Sequence, residues 1–176
     1  MPRVPQSWKD AGSGEEQLTY PLFDSALSTT SANTTLVLFD TTAAAAGDKE
    51  TNMETGGQLP ASQRFLIKGI GVIYNDLVTS DDENSISEGG FLKLLINDRK
   101  RLHVPLQLVG SGGSIVPAGA TQDEDHMFQQ ILWLESYIHL DGGQGFRVEV
   151  VTGDTVPTTS TRITVVLMGE LVRRAG

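Results

Sequence analysis

The chain has 176 residues and a mass of 18.9 kDa, which suits one domain that buries about 70% of its unfolded surface on folding. Its 22 acidic and 13 basic residues give a formal net charge of −9, and nucleic-acid binders instead carry clustered Lys and Arg, so no specific nucleic-acid binding is expected. No cysteine is present, which excludes disulfides, zinc–thiolate sites and thiol nucleophiles.

The first third predicts an N-terminal arm followed by strands and a long loop. Residues 1–17 show no hydrophobic periodicity, and we expect an arm with a short strand over 1–33 and a β-sandwich domain over 34–176. A first pair of strands is predicted at 17–23 (QLTYPLF) and 34–39 (TTLVLF). The segment 40–63 follows as a long loop in which four alanines allow one helical turn, but Gly47, Gly56, Gly57 and Pro60 prevent a longer helix. Loops of this length tend to have a function or an interaction partner.

The middle of the chain alternates between strands and loops. Residues 64–74 (RFLIKGIGVIY) are apolar on both faces, as in a strand covered on both sides. Residues 80–85 (SDDENS) are predicted to form a solvated acidic loop. Two alternating strands follow at 91–97 and 102–108, and Pro105 places the second at a sheet edge because proline has no N–H to donate. The residues predicted to share a core face are Leu92, Leu94 and Ile96 in the first strand and Leu102, Val104, Leu106 and Leu108 in the second.

The last third repeats this pattern in three strands. In 131–140 (ILWLESYIHL) one face is predicted to hold Leu132, Leu134, Ile138 and Leu140, and the other face Trp133, Glu135, Tyr137 and His139. The segments 145–151 and 161–174 also alternate, with turns rich in Gly, Asp and Thr between them. Seven or eight strands with such connections predict an all-β antiparallel sandwich or barrel.

The residues that carry catalysis or bind metals elsewhere do not converge in this sequence. The three histidines, His103, His126 and His139, are scattered, whereas a metal-binding barrel places His, His and Glu at close spacing. The acidic segment 122–128 (QDEDHMF) lacks the glycine turn and bidentate glutamate of a calcium loop. No nucleophile elbow or phosphate loop occurs. We therefore expect no enzyme activity, no cofactor and no metal, and a small β-barrel enzyme ranks last among the alternatives.

Two groups of residues are candidates for an interface. Trp133 and Tyr137 share one strand face, where outward aromatic rings suit a protein–protein contact or stacking on sugars. Arg99, Lys100 and Arg101 form the one basic run and belong to a small basic face that would meet lipid headgroups. A carbohydrate-binding or receptor-binding sandwich therefore stays open beside a protein that assembles with itself.

Four segments carry a resemblance to a known family. They are 38–40 (LFD), Thr51–Asn52 with Gly57, Leu59 and Pro60, residues 142–149 (GGQGFRVE), and the strand at 161–174. Over residues 36–174 the chain resembles the single jelly-roll major capsid proteins of tailless icosahedral bacteriophages that contain a membrane.

The resemblance implies an antiparallel jelly-roll sandwich of about eight strands with an extended N-terminal arm. It further implies a structural virion protein, made in the host cytoplasm, that forms an icosahedral shell with copies of itself or with a second capsid protein. Other virion proteins and the lipids of an internal membrane are the further partners expected. A minor capsid or decoration protein with the same fold is the alternative within this class.

Overall fold

The computed structural model describes residues 15–46, 50–75, 80–109 and 131–174, so the predicted arm at 1–14 lies outside the described part. The described residues form eight strands and three short helices. In chain order these are β1 (Glu15–Leu27), β2 (Thr35–Leu38), α1 (Ala43–Ala46), β3 (Gln63–Asn75), α2 (Ser80–Ser87), β4 (Phe91–Ile96), β5 (Arg99–Pro105), α3 (Leu106–Val109), β6 (Ile131–Asp141), β7 (Phe146–Val151) and β8 (Arg162–Arg174).

The strands form two four-stranded antiparallel sheets. The first sheet has the order β1-β8-β3-β6 and the second has the order β2-β7-β4-β5. The chain therefore passes between the sheets along its length, and the first strand pairs with the last. This strand order is that of a jelly roll, which confirms the predicted fold class.

The core lies between the two sheets and is built by the alternation of apolar residues along each strand. In β4 and β7 the buried and half-buried positions alternate without exception. The largest buried side chains include Phe39, Phe65, Met53 and Tyr74. Leu132, Leu134 and Ile138 of β6 pack against this core and Leu140 is fully buried, as the alternation predicts.

The first two strands are present, but their predicted pairing is wrong. β1 pairs with β8 along all thirteen residues, and β2 pairs with β7 in the other sheet. The sandwich therefore includes Glu15–Leu27, which lie within the segment predicted to be the arm. The physical reason is burial, because Leu22 of β1 is 3% exposed and belongs to the core only when β1 lies beside β8.

β3 is buried on both faces, as its sequence predicts. Phe65, Ile67 and Ile70 belong to the main core, whereas Leu66 packs on the opposite face against Val172 and Tyr137. A bulge interrupts the register between Ile67 and Gly69. The bulge keeps Ile67 and Ile70 on the same face although they are three residues apart.

The acidic segment 80–85 is not a solvated loop, which corrects the sequence analysis. It belongs to helix α2, in which Asp82 is 1% and Glu83 is 7% exposed. Asp82 Oδ1 accepts hydrogen bonds from Thr158 N at 2.5 Å and Thr158 Oγ1 at 2.9 Å, and Asp82 Oδ2 accepts one from Thr159 Oγ1 at 2.7 Å. The sequence of α2 has a poor helix propensity, so these hydrogen bonds and the burial of Ile86 must stabilise the helix.

The alternation predicted for 102–108 ends at Pro105. β5 is the edge strand of the second sheet, as Pro105 predicts. Residues 106–109 then form α3, in which Leu106 and Val109 are buried and Leu108 is 54% exposed. Leu108 is therefore not on the core face, because a helical turn replaces the two-residue period of a strand.

The segment 40–62 includes α1, which is the predicted four-alanine turn. The part of this segment after residue 50 packs against the sandwich. Asn52 Oδ1 accepts a hydrogen bond from Phe23 N at 2.9 Å, and Asn52 Nδ2 donates one to Pro21 O at 2.7 Å. Met53 and Leu59 are each 2% exposed. Part of the open edge of β1 is thus covered by a side-chain amide, which protects an edge strand from unwanted pairing.

Candidate interaction surface

The outer face of the first sheet carries two adjacent apolar rows that cross all four strands. These residues alternate with Leu22, Ile70 and Leu167, which face the core, so they face away from it. We call this surface the apolar band. Its first row is Pro21, Met168, Gly69 and Trp133, and its second row is Phe23, Val166, Gly71 and Ile131.

Two glycines on β3 shape the middle of the apolar band. A Cβ atom at Gly69 would lie 2.8 Å from Ile131 Cγ2 and 3.0 Å from Trp133 Cε3. The side chains of Ile131 and Trp133 therefore lie over β3, where any larger residue would displace them. Trp133 is still 61% exposed, whereas Val166 in the second row is 9% exposed, so the aromatic ring is an accessible part of the band.

Paired charges border the apolar band on the side nearer the start of β1. Lys68, at the bulge of β3, forms an ion pair with Glu170, and Gln17 Nε2 donates a hydrogen bond to Glu170 Oε2 at 2.8 Å. Farther out, Arg64 Nη2 lies 3.0 Å from Glu15 Oε2. Lys68 and Arg64 therefore each have an acidic partner.

The opposite border has the same character. Ser25 Oγ and Thr164 Oγ1 are 2.8 Å apart in the next cross-strand row. Beyond them, Arg162 Nη1 lies 2.8 Å from Glu50 Oε1. The three ion pairs around the band sum to zero charge, although the whole chain carries −9.

Tyr137 lies beside the apolar band and differs from Trp133 in its environment. Four residues of β6, 134–137, lie opposite the single residue Lys68 of β3, so β6 forms a bulge there. Tyr137 is half-buried against Leu66 and Val172, and Lys68 Nζ lies 5.5 Å from its ring centroid. Both predicted aromatic residues thus lie on the outer face, but only Trp133 is largely exposed.

Arg99, Lys100 and Arg101 lie at the edge of the second sheet. They follow a two-residue hairpin loop, Asn97–Asp98, in which both residues have positive φ (49° and 60°), as a type I′ turn requires. All three basic side chains are exposed. Arg101 lines a cleft of about 690 Å³ between the edges of β5 and β6, together with Tyr137, Glu135 and His139. Arg101 and Tyr137 therefore share a cleft that Trp133 does not line.

The outer face of the second sheet carries a network of paired charges. Glu149 Oε1 is 3.0 Å from Arg147 Nε, and Glu149 Oε2 is 3.8 Å from Lys93 Nζ. Arg147 Nη1 is 2.5 Å from Asp98 Oδ1, and its hydrogen bonds to Asp98 and Glu149 raise the pKa of Arg147. A chain of charges therefore covers the face that corresponds to the apolar band on the other side of the sandwich.

The described part of the interior holds few polar side chains, and most of them are hydrogen-bonded. Asp24 and Asp82 are both buried and accept hydrogen bonds from backbone N–H groups. Burial raises the pKa of Tyr74 and of Glu83, and the hydroxyl of Tyr74 is the one buried side-chain polar atom of the described residues without a hydrogen-bond partner. A cavity of about 150 Å³ under β1 is lined mainly by apolar residues such as Leu18, Met53 and Leu171.

The described histidines have no metal-binding environment. Among the described residues no three His, Asp or Glu side chains lie close enough together to hold a metal ion. His103 packs edge-on against Phe91, with 4.9 Å between ring centroids, and His139 is half-buried on the outer face of the first sheet. His126 and its acidic neighbours at 122–128 lie outside the described residues.

Comparison with known proteins does not indicate a function, so a proposed function must rest on the fold and the surface. No protein-family model matches the chain, and no curated protein sequence matches it significantly. In the part of the chain that the structure describes, none of the helices has the length and hydrophobicity needed to span a membrane.

Sequence reasoning found Trp133 but not the apolar band around it. The band depends on the register that sets Pro21 and Phe23 beside Met168 and Val166, and no local pattern contains that register. One signal was available in residues 68–72 (KGIGV), since glycines inside a strand often mark a place that another group approaches closely.

Proposed function

We propose that the protein is a structural virion subunit, the major building block of an icosahedral capsid that assembles with itself or with a second capsid protein. The observation that carries this proposal is the strand order β1-β8-β3-β6 and β2-β7-β4-β5. Viral capsid domains are among the main users of the jelly-roll fold, together with lectins and cupins. Because the fold alone does not define a function, the surface and interior must decide among these classes.

The interior favours the capsid class over a cupin-like enzyme. A catalytic or metal-binding jelly roll needs polar side chains that converge between its sheets. Here the residues that face inward are almost all apolar, and the buried carboxylate of Asp24 is engaged by backbone N–H groups. The space between the sheets is thus used for packing.

The segments that carry the resemblance to capsid proteins have clear structural roles in this chain. Gly57 N donates a hydrogen bond to Phe39 O at 2.6 Å, and Phe146 N donates one to Gly57 O at 2.7 Å. A Cβ atom at Gly56 would lie 2.4 Å from Asp40 O. These contacts close one end of the sandwich through Phe39 and Gly57, which the resemblance matches, and the φ of 71° at Gly57 favours glycine there.

The charge of the subunit agrees with a position that does not contact packaged DNA directly. An acidic surface repels nucleic acid, so its partners in a virion would be other proteins and, through the basic hairpin of Arg99, Lys100 and Arg101, lipid headgroups.

The experiment that tests the proposal measures assembly of the purified full chain. Light scattering across protein concentration and salt, followed by electron microscopy of any large species, should reveal discrete oligomers or curved shell fragments. A strict monomer under all these conditions contradicts a self-assembling subunit.

A further inference from the structure

We propose that the apolar band is the surface through which two copies of this chain bind each other, sheet against sheet. This inference rests on the proposed function, since it names the contact by which the subunit would assemble. It is argued from the shape, composition and charge of the outer face of the first sheet.

The shape of the band suits the flat face of another sheet. Neighbouring strands are about 4.8 Å apart and alternate residues about 7 Å apart, so two rows across four strands cover roughly 14 Å by 7 Å between side-chain origins. Gly69 and Gly71 keep the centre low, and Trp133 lies over Gly69 rather than projecting from the sheet. Packed sheets meet through interlocking apolar side chains of this kind.

The composition of the band matches the centre of a protein interface. Interface centres are enriched in Trp, Phe and Met and depleted of charge, whereas the surrounding rim is polar. The band contains one residue of each of these three types and no charged residue. The opposite face of the sandwich instead carries a chain of charges from Lys93 to Asp98.

The charges around the band favour a second copy over other partners. Its border holds three cations and three anions in pairs: Arg64 with Glu15, Lys68 with Glu170, and Arg162 with Glu50. Nucleic acid and anionic lipid bind surfaces with an excess of positive charge, and these three pairs provide none. A two-fold contact places identical surfaces together, and a border with equal charges of both signs can oppose itself without repulsion.

The apolar band is too small to form the whole contact between two copies. The apolar rows alone are smaller than the roughly 800 Å² per partner of a standard interface, so the contact must extend over the paired charges. We therefore expect a contact that depends on both parts: a few residues around Trp133 supply most of the binding energy, and the ionic border excludes water.

The test uses Trp133 as its own reporter. The chain has two tryptophans, so the Trp8→Phe variant of the full chain leaves Trp133 as the single source of tryptophan fluorescence. As the protein concentration rises, emission of this variant should shift to shorter wavelength and become protected from acrylamide. Light scattering on the same samples should show association over the same concentration range.

Two substitutions in the band and one matched control identify the surface. Trp133→Ser and Met168→Glu should each raise the dissociation constant about tenfold or more, because truncating an exposed aromatic anchor or adding a charge that docking must dehydrate weakens an interface by that amount. Leu108→Ser, at a residue 54% exposed on α3, should leave it within about twofold. Circular dichroism verifies that each variant is folded.

The outcomes separate this inference from the proposed function. If the chain assembles but Trp133 stays accessible to acrylamide and both band variants assemble normally, another surface makes the contact and only this inference fails. If the chain is monomeric at every concentration, this inference fails together with assembly of the subunit with itself. If Trp133 becomes protected only when a glycan or lipid vesicles are added, the band serves a different ligand and the inference is overturned.

Discussion

The carboxylate of Asp24 accepts a hydrogen bond from the backbone N–H of Phe39, and this contact connects the two sheets at one end of the sandwich. Asp24 lies on β1 of the first sheet, whereas Phe39 directly follows β2 of the second. Phe39 has a φ of 67°, which is rare for a large side chain, and its ring lies 5.5 Å from that of Phe146. The hydrogen bond therefore holds a strained residue in the place where its ring fills the core.

Replacing Asp24 should destabilise the fold. We expect Asp24→Ala to lower the free energy of unfolding by about 2–4 kcal/mol, because it leaves the buried N–H of Phe39 without an acceptor and also removes the bond from Ser25 N at 3.0 Å. Urea unfolding followed by circular dichroism measures the difference. Asp40→Ala, at an exposed aspartate nearby, is the control and should change stability by less than about 0.5 kcal/mol. An equal effect of both substitutions would contradict the role assigned to Asp24.

Asp82 should have a similar role at the other end of the sandwich. Its carboxylate holds residues 158 and 159 of the β7–β8 connection, so Asp82→Ala should cost about 2–3 kcal/mol and expose that connection to proteolysis. The neighbouring Asp81 is exposed and provides the matched control. Limited proteolysis with mapping of the cut sites measures the local effect. If the Asp82→Ala variant is as resistant to the protease as the Asp81→Ala variant, the Asp82 carboxylate is not needed to hold the β7–β8 connection.

Glu83 should make stability depend on pH. Burial raises its pKa above the ordinary 4.5, so the folded state binds a proton more readily than the unfolded state. The resulting stabilisation is fully present below about pH 4.5 and is lost as the pH rises through the raised pKa. Glu83→Gln should therefore be more stable than the parent protein at pH 8, with a difference that shrinks toward pH 4.5.

Thermal unfolding of the Glu83→Gln variant between pH 4 and 8 measures this difference. Glu88→Gln, at an exposed position just after α2, should follow the parent protein at every pH. If Glu83→Gln also follows the parent curve, Glu83 is not the group that links protonation to folding.

The basic hairpin should contribute to lipid association if the subunit lies next to a membrane. Replacing Arg99, Lys100 and Arg101 together by Glu should weaken binding to anionic vesicles by about fivefold or more per residue, since each cation near such a surface contributes about 1 kcal/mol. Co-sedimentation with phosphatidylserine vesicles gives the readout, and vesicles of phosphatidylcholine alone are the reference. Unchanged binding after charge reversal would refute a role for this hairpin.

The strands were predictable because each has a local two-residue period, and the pairing between them was not. Leu92, Leu94 and Ile96 alternate within six residues, so the sequence itself contains their burial pattern. The pairing of Leu22 with Leu167 depends on two distant segments that bury a common face. For this reason β1 was found as a strand but was assigned to the wrong neighbour and in part to the arm.

The errors in helices have a different cause. The sequence of α2 is poor in helix-forming residues and rich in charge, and it folds because Ile86 is buried and Asp82 is bonded to a distant loop. Leu108 was assigned to the core because the strand period was continued past Pro105. In the candidate site, Trp133 was identifiable as an exposed aromatic residue, but Met168 and Phe23, on other strands of the sheet, are placed on the same face only by the tertiary register.

The pairing of the first strand with the last has a consequence for biosynthesis. β1 leaves the ribosome roughly 135 residues before β8 begins, an interval of about 7 to 27 seconds at ordinary rates of translation. During this time the edge of β1 that will bind β8 has no partner, although all strands of the second sheet and the β3–β6 pair have been made before β8 begins. Folding of the first sheet must therefore wait until β8 has been made, and this topology predicts slow folding. Until then, nascent chains depend on chaperones or on dilution to avoid pairing with each other.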